Sequence, residues 1–336
     1  YPQLNQLRIE LVNNDIAVLF TLLFFLFITT YLLNKNKLGM KTYCILIFIL
    51  SFADVGIVNR KIINPNRESY RHNLINPKAQ LEAHLNTDHI IDFLQKDSSK
   101  YRILPIGELS KSNRWSAFNI ESVSGYHPAK LSNYSDLITK VGWSNLGVLK
   151  MLNIKYLISL EGLNHPNFEL VLEGLLFHSG SYRKAYVYQF DKFLPRVYFP
   201  KQINLAEQNI GLSEIYVNGF DPEIHSVVFD KNIPLNNDNR SEVRLISWSP
   251  DRIVFETVTD TAQFLLISEI FYPEGWEVTS DKKIYEVNKL IRGIIVDPGK
   301  NLYEMSFNPK DYIYGNIISY STFILLLLLI IGYNFF

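Results

Sequence analysis

Cysteine is almost absent from this sequence, since Cys44 is the only cysteine among 336 residues. A single thiol excludes an intrachain disulfide and supplies too few sulfur ligands for a cysteine-based metal site. Cys44 also lies inside an apolar run, so the polar part of the chain has no thiolate chemistry. The polar part must therefore be held by packing, hydrogen bonds and ion pairs.

Excess charge of either sign is also missing, because 33 Lys and Arg residues face 33 Asp and Glu residues. The basic surplus of a nucleic-acid-binding domain is absent, so nucleic acid is not expected as a partner. Nucleophile-elbow, Walker, Rossmann and zinc-protease motifs are also absent. His84 and His89 are five residues apart, which places them off a common helical face, and no second histidine stands at ligand spacing from His127. We expect neither a metal nor a cofactor.

Long apolar runs are present, and they lie at the two ends of the chain. Residues 16–33 carry no charge and reach about 27 Å as a helix, close to the hydrocarbon thickness of a bilayer. Residues 42–58 form a second run with Asp54 near its far end, and residues 317–331 form a third. Each run predicts a transmembrane helix, with the lipid bilayer as a partner.

The orientation in the membrane follows from the short turn between the first two runs. This turn, residues 34–41, carries Lys35, Lys37 and Lys41. The positive-inside rule places it in the cytoplasm and the large polar region on the other side of the membrane. Basic residues after the second run oppose this assignment, but long segments translocate largely regardless of charge. Because Tyr1 is not an initiator methionine and no signal peptide precedes the first run, we expect a piece of a longer multi-pass protein.

The polar region begins with a change of pattern. Residues 1–15 fit either a short interfacial helix or a connecting loop, and the Pro- and Asn-containing residues 59–86 predict an extended crossing. Thr87 and Asp88 predict the cap of a helix through about residue 96 that presents its isoleucines and a leucine on one face. A strand over residues 101–106 follows, which makes an α/β unit.

Further elements follow along the chain. The Ser- and Asn-rich residues 110–124 predict a surface loop, and residues 134–150 predict a helix interrupted near Gly142. Strands are predicted over residues 154–160, 168–172 and 184–190. After residue 195 come seven short strand candidates, at residues 243–248, 252–258, 264–270, 276–279, 283–287, 291–297 and 302–307.

The spacing of these seven candidates, with Pro- and Gly-containing turns between them, predicts an antiparallel β-sandwich. The predicted fold class is membrane α-helical plus exported α+β, with three transmembrane helices flanking a small α/β region and the sandwich. The predicted domains are 1–58 (interfacial segment and helical hairpin), 59–194 (α/β region), 195–311 (sandwich) and 312–336 (C-terminal transmembrane helix).

Several motifs in order carry a family resemblance. Residues 125–131 read GYHPAKL, followed by Tyr134 and Asp136, and later come MLNIKYLI, LPRVYF, SEIFYPEGWEV and LIRGIIVDPGKNLYEMSFNP. Taken together with residues 8–15 and with Asp54 at the end of a span, the chain resembles the C-terminal portion of the YfhO-like bacterial membrane proteins. The resemblance covers nearly the whole chain.

The resemblance implies a multi-pass membrane protein similar to the type C glycosyltransferases. Such a protein would transfer a sugar from a polyprenyl-phosphate carrier to a cell-envelope polymer on the outer face of the membrane. The resemblance also places the catalytic acid on an extracytoplasmic loop between the first helices of the full-length protein, and this chain contains no such loop. The alternative is a non-enzymatic, membrane-anchored scaffold or glycan-binding protein of the envelope.

Three groups of residues are candidates for the site. Asp54 is the one acid placed at the lipid boundary, where it could act as a base or simply pair with Arg60. Tyr126, His127 and Lys130 combine an aromatic face, an imidazole and a cation, although the His-Pro step also suits a helix start. The third group flanks a Pro-Glu-Gly turn, where aromatic, acidic and guanidinium groups suit a carbohydrate but the tryptophan also suits a core. Its members are Glu269, Tyr272, Trp276 and Arg292.

Overall fold

The computed structural model describes residues 2–63, 78–234, 240–272 and 274–335. Its internal contacts divide the chain into two compact units, Tyr1–Ala83 and His84–Phe336. The described part of the first unit is helical. The second unit combines three β-sheets with short helices and one long C-terminal helix.

The first unit contains a helical hairpin. Helices α1 (Pro2–Asn34) and α2 (Met40–Ile63) pack against each other, and the hydroxyls of Thr30 and Tyr43 lie 3.4 Å apart between them. Residues 3–38 contain neither Pro nor Gly, so nothing interrupts α1. Residues 2–15 are therefore not a separate short helix or a loop, because they continue into the first span.

Three helices are long and apolar enough to cross a membrane, over Asp15–Asn34, Met40–Ile57 and Lys310–Ile330. They match the three apolar runs of the sequence. The last of them, Lys310–Ile330, is the first part of helix α8 (Lys310–Phe335). Side chains such as Phe20 and Phe323 are 67% and 61% exposed, a degree of apolar exposure that suits contact with lipid. The chain is a membrane-associated protein.

The extended crossing predicted over residues 59–86 is wrong for the part that the structure describes. Helix α2 continues to Ile63, and helix α3 covers Lys78–Leu85. The first helix breaker after the second span is Pro65, and the residue before a proline is disfavoured in a helix, so α2 continues up to that point. Residues 64–77 lie outside the described part.

A four-stranded sheet begins the second unit. Its strands are β1 (Arg102–Pro105), β2 (Ile154–Ser159), β3 (Glu169–His178) and β4 (Ser181–Gln189), in the order β1-β2-β4-β3. The pair β1 and β2 is parallel, and the other two pairs are antiparallel. The strands predicted here are confirmed, and β3 and β4 form a longer hairpin than the sequence pattern indicates.

Helix α4 (His89–Lys96) packs against β3 and starts where the sequence predicts. The carboxylate of Asp88 caps it by accepting from the main-chain nitrogens of Ile90 and Ile91, at 3.1 and 3.0 Å. Ile90, Ile91 and Leu94 are fully buried in a core cluster with β1, β2 and β4. The predicted apolar face is confirmed.

The predicted surface loop over residues 110–124 is only partly exposed, because buried residues alternate with exposed ones along it. Two 3₁₀ helices form there, Gly107–Lys111 and Arg114–Phe118, and Trp115 is only 2% exposed. Arg114 is buried as well, because its guanidinium reaches the carboxylate of Asp88 at 2.7 Å and also donates to two main-chain carbonyls. Local polarity therefore misled the prediction, since the partners of this arginine come from another part of the chain.

Two short helices follow, α5 (Ser132–Lys140) and α6 (Leu146–Met151). The predicted break near Gly142 is confirmed, and this glycine has a φ of +74° that other residues rarely adopt. Gly147 at the start of α6 lies so close to Phe220 that a Cβ would overlap its carbonyl oxygen. A glycine is thus needed for α6 to pack at this position.

Ten further strands form two sheets. They are β5 (Val197–Tyr198), β6 (Ile203–Leu205), β7 (Ser226–Val228), β8 (Glu242–Ser249), β9 (Arg252–Thr259), β10 (Gln263–Ile270), β11 (Trp276–Val278), β12 (Ile284–Val287), β13 (Ile291–Val296) and β14 (Gly299–Phe307). The six-stranded sheet has the order β5-β10-β13-β12-β7-β6, and the four-stranded sheet has the order β11-β14-β9-β8. All pairings except β6 with β7 are antiparallel.

All seven strands predicted after residue 195 are present. The structure adds β5, β6, β7 and a single helical turn, α7 (Leu212–Ile215). These three strands are only two or three residues long, which leaves little of an alternating pattern to recognise. The two sheets contribute to one hydrophobic cluster, with Leu265 and Ile294 from one sheet and Phe255 and Met305 from the other.

The six-stranded sheet also contributes to the largest core cluster. Phe264 and Leu266 of β10 pack there together with Leu104 of β1 and Leu152, which follows α6. Residues on both sides of position 195 therefore share one core. The junction of β1 with β10 is the place where the candidate site is built.

Candidate functional site

A cavity of about 750 Å³ lies beside β1. Its walls come from β1, the two 3₁₀ helices, residues 122–131, helix α5 and the end of β10. Ligand pockets usually have volumes of about 300–1,000 Å³, so the cavity has room for a small ligand.

The side chains that line this cavity include basic groups but no described carboxylate. Its basic lining residues are Arg102, Lys111, His127 and Lys130, and no Asp or Glu is among the described residues that line it. We call it the cationic cavity. Such a surface attracts anions.

Aromatic rings and hydroxyls line the same space. Tyr126, Tyr134 and Trp143 supply rings, and Ser116, Ser122 and Ser124 supply hydroxyls. Flat rings and short polar groups are suited to a sugar, which has an apolar face and many hydroxyls.

A pair of hydrogen bonds fixes the segment that carries Tyr126. The amide of Asn113 donates to the carbonyl of Tyr126 at 2.8 Å and accepts from its nitrogen at 2.9 Å. His127 is held locally, because its Nδ1 accepts from the nitrogen of Ala129 at 3.1 Å. The predicted set of Tyr126, His127 and Lys130 thus lines one cavity, and all three side chains are exposed.

Tyr134 forms a fixed wall of the cationic cavity. Its hydroxyl donates to the carbonyl of Val123, and burial raises the pKa of Tyr134 well above its ordinary value. The residue therefore remains a neutral donor and presents a stable ring. The sequence prediction noted Tyr134 in the family motif without giving it a role.

A group of charged residues lies next to the cavity at the junction of the sheets. Its members are Lys100, Arg102, Glu121, Arg196, Glu269 and Arg292, and we call it the buried ion cluster. It contains four basic and two acidic side chains, which is a formal excess of two positive charges.

Arg196 is the centre of the buried ion cluster, with a side chain that is 0% exposed. Its two terminal nitrogens bind different carboxylates: Nη1 donates to Glu269 at 2.7 Å, and Nη2 donates to Glu121 at 2.9 Å. Such an arrangement compensates part of the loss of hydration of the three groups, while Arg196 Nε is buried without a hydrogen-bond partner in the described part of the chain.

Arg102 connects the buried ion cluster to the cavity. Its Nη1 donates to the carbonyl and the hydroxyl of Ser268 at 2.7 and 3.0 Å, and its Nη2 lies 3.0 Å from the carboxylate of Glu269. Arg102 belongs to β1 and both partners belong to β10, so this side chain joins the two sheets.

Glu269 remains ionised in this setting. Burial raises its pKa, but the positive charges of Arg102 and Arg196 and the indole N–H of Trp248 lower it by more than burial raises it. The pKa of Glu269 therefore lies below its ordinary value. Trp248 Nε1 donates to Glu269 at 3.0 Å.

Lys100 closes the other side of the buried ion cluster. It pairs with Glu121, and its Nζ lies 3.2 Å from the ring centroid of Trp248. Burial lowers the pKa of Lys100, while Glu121 raises it, and the net pKa is lowered.

The predicted set around the Pro-Glu-Gly turn is divided by the structure. The guanidinium carbon of Arg292 lies 4.0 Å from the ring centroid of Trp276, whereas Glu269 points to Arg102 and Arg196. Burial lowers the pKa of Arg292 to about 10, although the charge of Glu269 raises it.

Tyr272 and Trp276 line a different cavity, of about 520 Å³. Its wall also includes Lys310, Asp311 and Tyr312, which begin helix α8. The two aromatic residues therefore lie where the third span begins, and neither lines the cationic cavity.

Asp54 is exposed on α2, within the second span, and belongs to the first unit. Its suggested partner Arg60 carries a side chain outside the described part. Among the described residues, no group of three His, Cys, Asp or Glu side chains is arranged to hold a metal ion.

Sequence reasoning missed the two residues that organise the site, Arg102 and Arg196. The available signal was an arginine inside a short apolar run, YRILPI for Arg102 and LPRVYF for Arg196. Arginine is almost never buried without a partner, so an arginine in a buried strand predicts a carboxylate nearby. The pattern does not say which carboxylate.

Comparisons of the chain with protein-family models, with curated proteins and with solved structures gave no match.

Proposed function

We propose that this chain is the C-terminal portion of a YfhO-like multi-pass membrane protein whose polar region recognises an anionic glycan as the acceptor of a glycosyltransferase. The enzyme would transfer a sugar from a polyprenyl-phosphate carrier to that acceptor at the outer face of a bacterial cell membrane. The observation that carries the proposal is the cationic cavity, where basic, aromatic and hydroxyl groups meet.

The lining supports binding more than chemistry by this part of the protein. Transfer to a sugar hydroxyl needs a carboxylate or another base within hydrogen-bond reach. Carboxylates are absent from the described lining of the cationic cavity, and His127 is the single imidazole there. The catalytic acid is accordingly proposed on a segment upstream of this chain.

The same observation supports the second candidate, a non-enzymatic glycan-binding scaffold of the envelope. The two functions differ in what the full-length protein does to a bound glycan. The role of Asp54 is tested by itself, since an acid within a membrane span is a functional hypothesis by default. Asp54→Asn in the full-length protein should reduce glycan modification if Asp54 is the base, and unchanged glycan removes it from the mechanism.

We also propose that the six- and four-stranded sheets form the sandwich predicted from the sequence, outside the cytoplasm. The shared cluster of β9, β10, β13 and β14 supports the sandwich. The orientation can be tested with the one native thiol removed as Cys44→Ser and a new one introduced as Glu277→Cys. An impermeant maleimide should label this variant in intact cells, and labelling only after lysis would contradict the exported topology.

The glycan proposal is tested with the whole chain in lipid nanodiscs. Retention on immobilised phosphate- or uronate-bearing glycans should exceed retention on their neutral counterparts and should fall with salt. Lys130→Gln should weaken retention several-fold, because it removes a cation from the lining.

The matched control is Lys140→Gln, an exposed lysine of α5 that pairs with Asp136 and lies outside the cationic cavity. It should leave retention unchanged. Equal retention of acidic and neutral glycans, or equal effects of the two lysine variants, would overturn the proposal.

A further inference from the structure

The cavity of about 520 Å³ that Tyr272 and Trp276 line is built where the third apolar helix begins. Its wall joins the turn before β11 to the residues that link β14 with helix α8. Lys310 belongs to this wall and is also the first residue of the candidate span Lys310–Ile330. Because such a span lies in the hydrocarbon, the residues at its start lie at the level of the lipid headgroups. We call this space the interfacial cavity.

Main-chain contacts hold the two sides of the interfacial cavity together. The nitrogen of Asn308 donates to the carbonyl of Gly275 at 2.5 Å, and Trp276 pairs with Phe307 between β11 and β14. Gly275 has a φ of +86°, and a Cβ on it would lie 2.9 Å from atoms of both Phe307 and Pro309. A glycine therefore lets the turn lie directly against the residues that begin α8.

Aromatic rings surround the interfacial cavity. Tyr272 and Tyr312 line it and are 38% and 68% exposed, so their rings are accessible. Phe307 contacts Tyr272 and Trp276, with ring centroids 6.3 and 5.4 Å apart. The guanidinium of Arg292 lies over Trp276 and holds the indole in place. Tyrosine and tryptophan are enriched at membrane–water interfaces, so this set of rings suits contact with lipid headgroups.

The charges of the lining are mainly negative, in contrast to the cationic cavity. Three carboxylates, of Glu274, Glu277 and Asp311, and one ammonium, of Lys310, line the space, which is a formal excess of two negative charges. All four residues are exposed, and none of their side chains forms an ion pair or a hydrogen bond within the described part of the chain. They are therefore free to bind a charged group that enters from the membrane surface.

We infer that the interfacial cavity binds the headgroup of an ammonium-bearing phospholipid of the surrounding bilayer. The ammonium would lie among the three carboxylates and beside the exposed tyrosine rings, whose faces attract a cation. Lys310 would pair with the phosphate of the same headgroup. A headgroup with one charge of each sign is complementary to this lining, whereas a purely anionic headgroup meets its excess of negative charge. Ethanolamine and choline headgroups share this chemistry, and the probes separate them.

The test uses the whole chain in phosphatidylglycerol nanodiscs that contain a small fraction of nitroxide-labelled phospholipid. The probes carry the nitroxide near the headgroup end of one acyl chain and have an ethanolamine, a choline or a glycerol headgroup. A nitroxide quenches a nearby indole, and Trp276 lines the interfacial cavity. At equal mole fraction, at least one ammonium-bearing probe should quench about threefold more than the glycerol probe, because exposed ion pairs and cation–π contacts each contribute modestly.

Three variants locate the effect. Trp276→Phe should abolish the difference between the probes, because it removes the reporter and keeps an aromatic ring. Glu274→Gln combined with Glu277→Gln should abolish the preference for ammonium and leave quenching by the glycerol probe. The matched control is Glu242→Gln, an exposed residue of β8 at the opposite edge of the four-stranded sheet, and it should keep the preference. The exposed glutamates decide the matter even if Trp276→Phe does not fold.

Equal quenching by all the probes, or stronger quenching by the glycerol probe, would overturn the inference. Equal effects of the paired glutamate variant and Glu242→Gln would also overturn it, because the preference would then arise outside the interfacial cavity. Stronger quenching by the ethanolamine than by the choline probe would identify a primary ammonium as the preferred group, and similar quenching by both would identify the positive charge alone. The inference is independent of the proposed glycan recognition, which concerns a different cavity.

Discussion

The strongest stability prediction concerns Glu269→Gln in the buried ion cluster. The substitution preserves shape and removes the negative charge that Arg196, Arg102 and Trp248 share, at 2.7, 3.0 and 3.0 Å. Breaking a buried ion pair costs about 3–5 kcal/mol, because the partner charge stays buried without compensation. The side chain of Glu269 is 16% exposed, so solvent screens little of this loss.

The assay is urea unfolding of the whole chain in nanodiscs. All four tryptophans, at positions 115, 143, 248 and 276, lie in the second unit, so their fluorescence reports on that unit. With a urea m-value of about 3 kcal/mol per molar, a loss of about 3–5 kcal/mol lowers the midpoint by about 1–1.7 M.

Glu304→Gln is the matched control, because Glu304 also binds an arginine through two hydrogen bonds of 2.7 Å but lies on the exposed surface. Its midpoint should stay almost unchanged, since exposed ion pairs contribute little. Equal midpoints for the two variants would refute the idea that the buried ion cluster stabilises the junction.

The pH dependence gives an independent measurement of the same effect. The pKa of Glu269 lies below its ordinary value of 4.5, so its charge stabilises the folded state above pH 4.5. That contribution is lost as the pH falls through the lowered pKa. The unmodified chain should therefore lose stability in acid more steeply than Glu269→Gln does.

Three further predictions concern other parts of the second unit. Burial raises the pKa of Asp97, but hydrogen bonds from Lys155, Ser99 and Tyr156 outweigh it and lower the pKa from 3.8 to about 2. Because solvent screens part of this effect at a partly exposed carboxylate, Asp97→Asn should cost about 1 kcal/mol at neutral pH in urea unfolding and reduce the loss of stability between pH 4 and 2; identical acid profiles would contradict this. Gly147→Ala should strongly destabilise the second unit in urea unfolding, because a Cβ has no room there. Gly162→Ala is the control and should have little effect, because a Cβ at that position meets open space. Similar urea midpoints for the two variants would contradict this. Asn113→Ala removes the two hydrogen bonds to the main chain of Tyr126, so it should raise amide hydrogen exchange in that segment and weaken glycan retention. Unchanged exchange would show that these hydrogen bonds do not hold the segment in place.

Local patterns predicted much of the fold. The three long apolar helices and the seven later strands are present. An apolar run of 15–18 residues favours a membrane-spanning helix, and a short alternating run between turns favours a strand. The cap at Asp88 and the break at Gly142 are present for similarly local reasons. Three of the four strands of two or three residues, β5, β6 and β7, were missed, since so short a stretch carries little of an alternating pattern.

The candidate site was predicted in part. Tyr126, His127 and Lys130 are neighbours in sequence and line one cavity, as a compact motif should. Glu269 and Trp276 were expected together because seven residues separate them, yet Glu269 is bound by Arg102 and Arg196, residues more than 70 positions away. Sequence proximity is a poor guide to the partners of a charge that β-strand pairing buries.

The sequence by itself determined that this chain has three helices long and apolar enough to cross a membrane and that strands dominate after residue 195, because both follow from hydrophobicity and from periods of a few residues. The tertiary structure alone decided which charges meet. Arg102, Glu121, Arg196 and Glu269 come from separate segments, and they meet because the packing of β1 against β10 removes them from water at one junction. A buried charge needs an opposite charge beside it. The local sequence does not identify that partner, because the packing of distant segments in the core determines which side chains meet.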